Sequence, residues 1–469
     1  MNPGIQSTRI RRLNDEPARL GRFVLYWMQQ SQRAVFNHAL EYAVGEANRL
    51  RLPLLVGFGL TESYPEANLR HFRFMLEGLR DTNRRLIRRG IPLVVRIGDP
   101  DRVAVELARD AALLVSDRGY LRHQRAWRTA VAAGTSCPAV QVESDIVVPV
   151  DVVSEKAEYA AHTIRPKIHR YLDDYLVPLP TEDLQIQGGN PGIRGEDLSD
   201  VDAVLNHLDL DVSVEPVSRF WTGGTTSAEE RFGRFLTESL TVYAESRNQP
   251  QTDHVSAMSP FLHFGQVSPV QLAMEARRRM PVAPRDVEVF LEELIVRRDL
   301  AINFVERRPN YDHFSCLPNW AARTLDDHSD DPREFTYDRQ TLESAATHDP
   351  YWNAAMREMR LSGYMHNHMR MYWGKKILEW SPSPEEAFST ALYLNNRYFL
   401  DGRDPSSYAN VAWIFGMHDR PWKERPVFGK VRYMNARGLE RKCDIRGYID
   451  KVGGLERDGP GLNGMAWDR

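Results

Sequence analysis

The 469-residue chain has only three cysteines, Cys137, Cys316 and Cys443, each far from the others in sequence. No CxxC pair exists, so thiolate zinc and iron–sulfur sites lack ligands. So sparse and odd a count also excludes a disulfide scaffold and suits a reducing compartment. Lysine is scarce as well, with 8 residues against 53 arginines. Arginine forks suit phosphate, although GC-rich coding produces the same bias. No stretch approaches the roughly 20 apolar residues that span a bilayer. The opening MNPGIQSTRIRRLNDEP has no apolar core for a secretory signal, so a cytoplasmic protein is expected. An excess of one charge is also missing. The net charge is −3 at pH 7, and nucleic-acid binding would need a local basic patch.

What remains is an ordinary globular balance of 42% hydrophobic and 27% charged residues. The length suggests two or three domains at about 150 residues each. Short apolar runs at Phe23–Trp27, Pro53–Gly57, Pro92–Ile97 and Ala112–Val115, with a weaker one at Val140–Val142, alternate with helical spacing at Arg33–Leu50 and Ala67–Arg89. That pattern predicts an α/β domain with a doubly wound parallel sheet over residues 20–150. Gly57-Phe58-Gly59 is the start of a dinucleotide fingerprint, but Glu62 stands where the third small residue belongs, which argues against NAD. Residues 151–226, with Val177-Pro178-Leu179-Pro180 and Gly188-Gly189-Asn190-Pro191-Gly192, read as an interdomain linker. Helical periods then dominate: Glu229–Asn248, Pro269–Arg279, Arg285–Val305, Pro350–Trp380 and Pro384–Tyr393 predict a mostly α-helical domain over 227–460. From Gly459 the chain reads as a loose tail.

Five segments carry candidate chemistry. In Gly363–Trp380, GYMHNHMRMYWGKKILEW, polar and aromatic residues mix on every helical face. His366 and His368 are two apart and point in opposite directions, unlike a metal pair. Trp373 and Trp380 share a face about 10 Å apart, and Trp352 would fold back against them. That spacing fits a packed core or an electron relay. In Leu394–Pro405, charges bracket a turn at Gly402, suited to a hydroxyl array or to a solvated turn. Tyr243–Asn248 is followed by Ser256-Ala257-Met258-Ser259 and by Ser268-Pro269, where hydroxyls at helix starts suit either capping or a phosphate. Glu293 and Arg297 form an i, i+4 pair, on the surface or facing a ligand. Arg420–Arg446 holds nine basic residues among Trp422, Phe428 and Tyr433, a pattern for gripping a nucleic-acid backbone or for a solvated surface.

Taken together these segments resemble the class II cyclobutane pyrimidine dimer photolyases of the cryptochrome/photolyase family. GYMHNHMRMYWGKKILEW and LDGRDPSSYANVAWIFGMHDRPW are similar to that class's two signatures, and SPFLHFGQVSP to the superfamily's flavin phosphate segment. The resemblance runs from about residue 20 to 450. It implies FAD, active as FADH⁻, and light-driven electron transfer to a dimer flipped out of DNA, whose cyclobutane ring then splits. A damaged base pair costs less to extrude than an intact one.

By the same resemblance, Tyr243, Ser256, Ala257, Met258 and Ser259 line the FAD phosphates and ribityl chain. Arg370 and Asp401 pair beside the isoalloxazine, Arg403 and Asp404 help close the site, and Asn395 approaches N5. Such cationic and amide groups favour an anionic reduced flavin. Glu293 hydrogen-bonds the dimer bases; Met371 and Trp413 contact the dimer; Arg247 and Asn248 lie near the lesion; Arg420 and Trp422 face DNA. Trp373, Trp352 and Trp380 form the route that reduces FAD from solvent. Ser406 and Asn410 depart from the second signature, and Tyr398-Phe399 just before it differs from the commoner version. The α/β domain becomes an antenna domain, with no motif selecting a deazaflavin, a folate or neither. A monomer without metal is expected. The rival readings are a cryptochrome-like light receptor without repair and a cofactor-free nucleic-acid-binding helical protein.

Overall fold

The computed structural model describes residues 4–187 and 191–457. The Gly188–Asn190 part of the expected linker and the expected tail from Gly459 lie outside the described residues. Six strands form one sheet: β1 Ile10–Arg12, β2 Phe23–Trp27, β3 Leu54–Leu60, β4 Leu93–Ile97, β5 Ala111–Asp117 and β6 Ala139–Val142, in the order β1-β6-β5-β2-β3-β4. The five strands anticipated from apolar runs are parallel. β1 is an addition that pairs antiparallel with β6. Ile10-Arg11-Arg12 has no apolar alternation because it is a short edge strand held through its backbone. The buried Arg9 guanidinium anchors it, donating to the carbonyls of Glu143, Ile146 and Val147.

Side chains alternate across the sheet. Val24, Tyr26, Val56 and Phe58 pack on one face with α1 His38–Leu50 and α2 Leu69–Arg88. Phe23, Leu25, Trp27 and Leu55 pack on the other with α3 Pro100–Leu107 and α4 Arg122–Gly134. α1 starts at His38, five residues after the expected Arg33, because Asn37 caps it by accepting from the Ala39 and Leu40 N–H groups. Gly57 and Gly59 lie inside β3, not in a phosphate loop. A Cβ on Gly59 would come within 2.6 Å of the Pro100 Cα. The two glycines therefore let α3 pack closely on the sheet.

The stretch expected as a linker carries a 15-residue helix, α5 Ala161–Tyr175, which buries Ile164 and Ile168. Pro166 within it masks the helical signal. Beyond it lie α6 Pro284–Leu291, α7 Arg298–Arg307, α8 Pro350–Ser362, α9 Asn367–Trp380, α10 Pro384–Tyr398, α11 Pro405–Ile414 and α12 Ile445–Arg457. The expected single helix Pro350–Trp380 is two. Gly363, at φ +69°, ends α8 in the left-handed conformation, and its carbonyl accepts from the Leu400 N–H at 2.9 Å. The His366 ring then caps α9 by accepting from the His368 N–H. This break lets α8 fold back on α9, which also packs against α10. No helix among the described residues is long and apolar enough to cross a membrane.

Candidate active site

A cavity of about 540 Å³ opens among α6, α7, α9 and α11, within the range typical of cofactor and ligand pockets. One wall comes from Tyr243, Arg247 and Asn248, followed by Ser256, Met258 and Ser259. Ala257 turns the chain there at φ +51°, a conformation unusual for a residue with a Cβ. Ser268 stands apart from the cavity. It is buried and accepts from the Val270 and Gln271 N–H groups, so it acts as a helix cap.

Glu293 reaches the cavity from an irregularity in its helix. Residues Glu292–Arg297 form a π-helical turn between α6 and α7. Such turns widen the helix by one residue and re-aim its side chains. The expected Glu293–Arg297 pair is therefore replaced. Arg297 meets Glu292, five residues back, at 3.4 Å, and Glu293 meets Arg247 at 2.7 Å. Burial and the Glu293 charge push the nearby Tyr243 phenol up to about 12.

On the opposite wall Arg370 binds Asp401 through two parallel hydrogen bonds of 3.0 Å each. This bidentate geometry is the strongest form of such a pair. The guanidinium also donates to the Met365 carbonyl and lies 3.9 Å from the centre of the Phe399 ring. Asp404 caps α11 by accepting from the Ser406 N–H. Burial opposes its charge, but the His263 hydrogen bond and the Arg298 charge prevail and hold its carboxyl down at about 2. Gly402 is required at the turn, since a Cβ there would come within 2.8 Å of the Asn395 carbonyl oxygen. Of the departures from the signature, Ser406 and Asn410 line the cavity, as do Met371 and Trp413, whereas Tyr398 and Phe399 do not.

Other expected site residues lie outside the lining. Asn395 is buried beside the Gly402 turn and donates to the Asn396 amide oxygen. Arg403 turns its guanidinium away, to His71 and the Asn396 carbonyl, and faces a second cavity of about 70 Å³ against the sheet, near Trp27 and Phe72. Arg420 and Trp422 stand further out. Arg432, which does line the cavity, stacks on both Trp413 at 5.3 Å and Trp422 at 4.3 Å. Arg432 belongs to the basic stretch but had no assigned role, because its value depends on which aromatics the fold brings to it. Arg297 and Arg298 also line the cavity.

The three tryptophans are brought together. Trp352 donates its indole N–H to the Trp373 carbonyl at 3.0 Å, and its ring lies 5.7 Å from Trp380, edge to face. Trp373 abuts Phe399, the ring beneath Arg370, at 6.3 Å. All three indoles are buried, at most 2% exposed. Trp380 is itself covered by Tyr337 and His348.

A family model described as DNA photolyase matches residues 24–184. A deoxyribodipyrimidine photo-lyase of Methanothermobacter thermautotrophicus is 50% identical over 454 residues, covering 96% of this chain and 99% of that protein. One from Potorous tridactylus is 39% identical, covering 91% and 81%. Among solved structures, a class III photolyase from Agrobacterium tumefaciens superposes with a TM-score of 0.73 at 19% identity, covering 93% of this chain and 87% of that one. An archaeal photolyase from Sulfolobus tokodaii, solved with two FAD molecules, gives 0.68 at 14% identity, covering 94% and 95%.

Proposed function

The chain belongs to the DNA photolyase family, and on that premise we propose that its larger cavity holds FAD and receives a flipped-out cyclobutane pyrimidine dimer as a class II enzyme would. It has the cryptochrome/photolyase fold. Its activity is light-dependent repair of pyrimidine dimers in DNA, that of a deoxyribodipyrimidine photo-lyase. The observation that carries the site assignment is the single cavity itself. It unites the Arg370–Asp401 pair, the Ser256–Ser259 turn, the Glu293–Arg247 pair and Trp413, drawn from segments spread between Arg247 and Trp413.

The donor set suits FAD. Ser256 and Ser259 offer hydroxyls to its phosphates and ribityl chain, and Arg370 offers a fixed cation beside the ring. When bound and reduced, FAD supplies the photoexcited electron that opens the cyclobutane ring. The protein's own contribution is placement and charge. Arg370 is held rigid by Asp401 and Phe399, so it faces the cavity without reorganising. Glu293 presents its carboxyl group to the dimer bases as a hydrogen-bond partner that fixes their orientation. Arg247 and Asn248 sit beside it to engage the lesion. Trp413, Met371 and the Arg432-linked Trp422 supply apolar and cationic surface for the damaged strand. The second cavity, at about 70 Å³, is far below the ~300 Å³ at which ligand pockets begin. A cytoplasmic monomer acting on DNA completes the proposal.

The test is repair of a dimer-containing oligonucleotide by the photoreduced protein, under blue light and in the dark. Light-dependent loss of dimers is expected. A yellow protein that photoreduces and repairs nothing would instead be a light receptor. Within that assay, Glu293→Ala is expected to lower repair per absorbed photon roughly ten-fold, the scale of a hydrogen bond to a charged group, with a smaller change in lesion affinity. Equal repair yield would remove Glu293 from the reaction. Affinity for DNA is expected to fall steeply with salt, with a log–log slope of about −0.9 per phosphate contacted. A flat response would exclude the arginine-rich rim as the DNA surface.

A further inference from the structure

Lys375 lies in the signature segment, yet none of the roles above uses it. Its side chain is wholly buried on α9. The ammonium donates to the Ile414 carbonyl at the end of α11 and lies 5.3 Å from the centre of the Trp413 indole. Trp413 is the residue before Ile414, and its ring lines the cavity. Gly374 makes the approach possible, since a Cβ there would sit 2.0 Å from the Ile414 Cδ1. The neighbouring Lys376 turns away to Glu379.

Among the described residues Lys375 makes no ion pair, and an amine buried without one is costly. Methionine would fill similar space without that cost. A cation held against an indole face in a desolvated site gives back part of that cost, and a cation on the last carbonyls of a helix gives back more. Both contacts act on the same two residues, so the ammonium fastens the end of α11 and the ring it carries as one unit.

We propose that Lys375 is a positioning residue for lesion recognition, its ammonium clamped between the Ile414 carbonyl and the Trp413 ring so that the indole is held for the damaged bases. The inference rests on the photolyase reading and adds a residue to it. Burial pushes the ammonium down to about 7, with the Asp419 carboxylate opposing the fall and the Arg432 charge adding to it. Asp419 and Arg432 are the charged groups that act on it. The lysine is therefore charged below about pH 7 and neutral above, and the clamp weakens as pH rises through that value.

The experiment compares dissociation constants of the FAD holoenzyme for dimer-containing and undamaged oligonucleotides. It is run in the dark at fixed salt, from pH 6 to 8.5. Taking the ratio of the two constants cancels general attraction to phosphate. Wild type, Lys375→Met, Trp413→Leu and the double variant are measured. The ratio is expected to fall roughly ten-fold in Lys375→Met, the scale of a desolvated cation–indole contact, and to lose its pH step. The double variant is expected to add little to either single change, as for residues acting as a unit. FAD content and photoreduction in Lys375→Met stay at the wild-type level. Additive effects, or an unchanged ratio in Lys375→Met, overturn the proposal. Should Lys375→Met fail to fold with FAD, wild type and Trp413→Leu decide. The step near pH 7 must be present in the first and absent in the second, and any other result overturns the proposal. A wild type without light-dependent repair, showing no preference for damaged DNA at any pH, would instead refute the photolyase reading.

Discussion

Trp373→Phe is expected to abolish photoreduction of bound oxidised FAD while leaving lesion binding and fold intact. Trp373 touches Phe399, the ring on which Arg370 rests, so it is the indole of the three that stands next to the cavity wall. Behind it Trp352 is fastened by the hydrogen bond from its indole N–H to the Trp373 carbonyl, and Trp380 follows at 5.7 Å. Phenylalanine preserves most of the packing but is far harder to oxidise than indole, so the relay loses its first member. The measurement is flavin absorbance under blue light with a reductant in solution. Trp352→Phe should act in the same direction, because it interrupts the contact to Trp380. An unchanged rate in Trp373→Phe would exclude this route and leave the three indoles as core packing.

The second large effect is expected at the Arg370–Asp401 pair. Arg370→Met removes one partner of a bidentate pair and leaves Asp401, only 6% exposed, as a buried carboxylate without its cation. Breaking a buried pair in this way costs roughly 3–5 kcal/mol. The Met365 carbonyl and the Phe399 face lose their contact at the same time. A lowered melting temperature and loss of FAD on purification are expected, measured by calorimetry and by the flavin-to-protein absorbance ratio. Asp401→Asn should be milder, since the amide still accepts one of the two hydrogen bonds. Full FAD occupancy in Arg370→Met would show that the pair is structural only.

The legibility of this molecule in its sequence varied with how local each feature is. The parallel strands were readable because Phe23–Trp27, Leu54–Leu60 and Ala111–Asp117 are buried on both faces and so nearly all apolar. β1 was not, since an edge strand needs only its backbone. The break at Gly363–His366 was hidden because one glycine in a helical period is a weak stop signal. What ends the helix is the tie between the Gly363 carbonyl and Leu400, nearly forty residues away. The π-turn at Glu292–Arg297 was equally invisible, and with it the exchange of partners that sends Glu293 to Arg247. The roles assigned through family resemblance rested on segments that the cavity does draw together at Tyr243–Ser259, Glu293, Arg370, Asp401–Asp404 and Trp413. Arg403 and Asn395 share those segments but sit behind the lining, which no one-dimensional pattern distinguishes.

By itself, then, the chain determined its α/β beginning, its helical remainder, its poverty in thiolate ligands and the segments that carry chemistry. Each of these is written in residue type and short-range period. Only the tertiary structure decided which charge meets which. Arg247 with Glu293, Arg370 with Asp401, and Lys375 with the end of α11 and the Trp413 ring join residues 31 to 46 positions apart. Such pairs form where packed helices bring their faces together. A buried charge is tolerated only where the fold supplies its partner, so the partner is a property of the packing and not of either residue's neighbours in sequence.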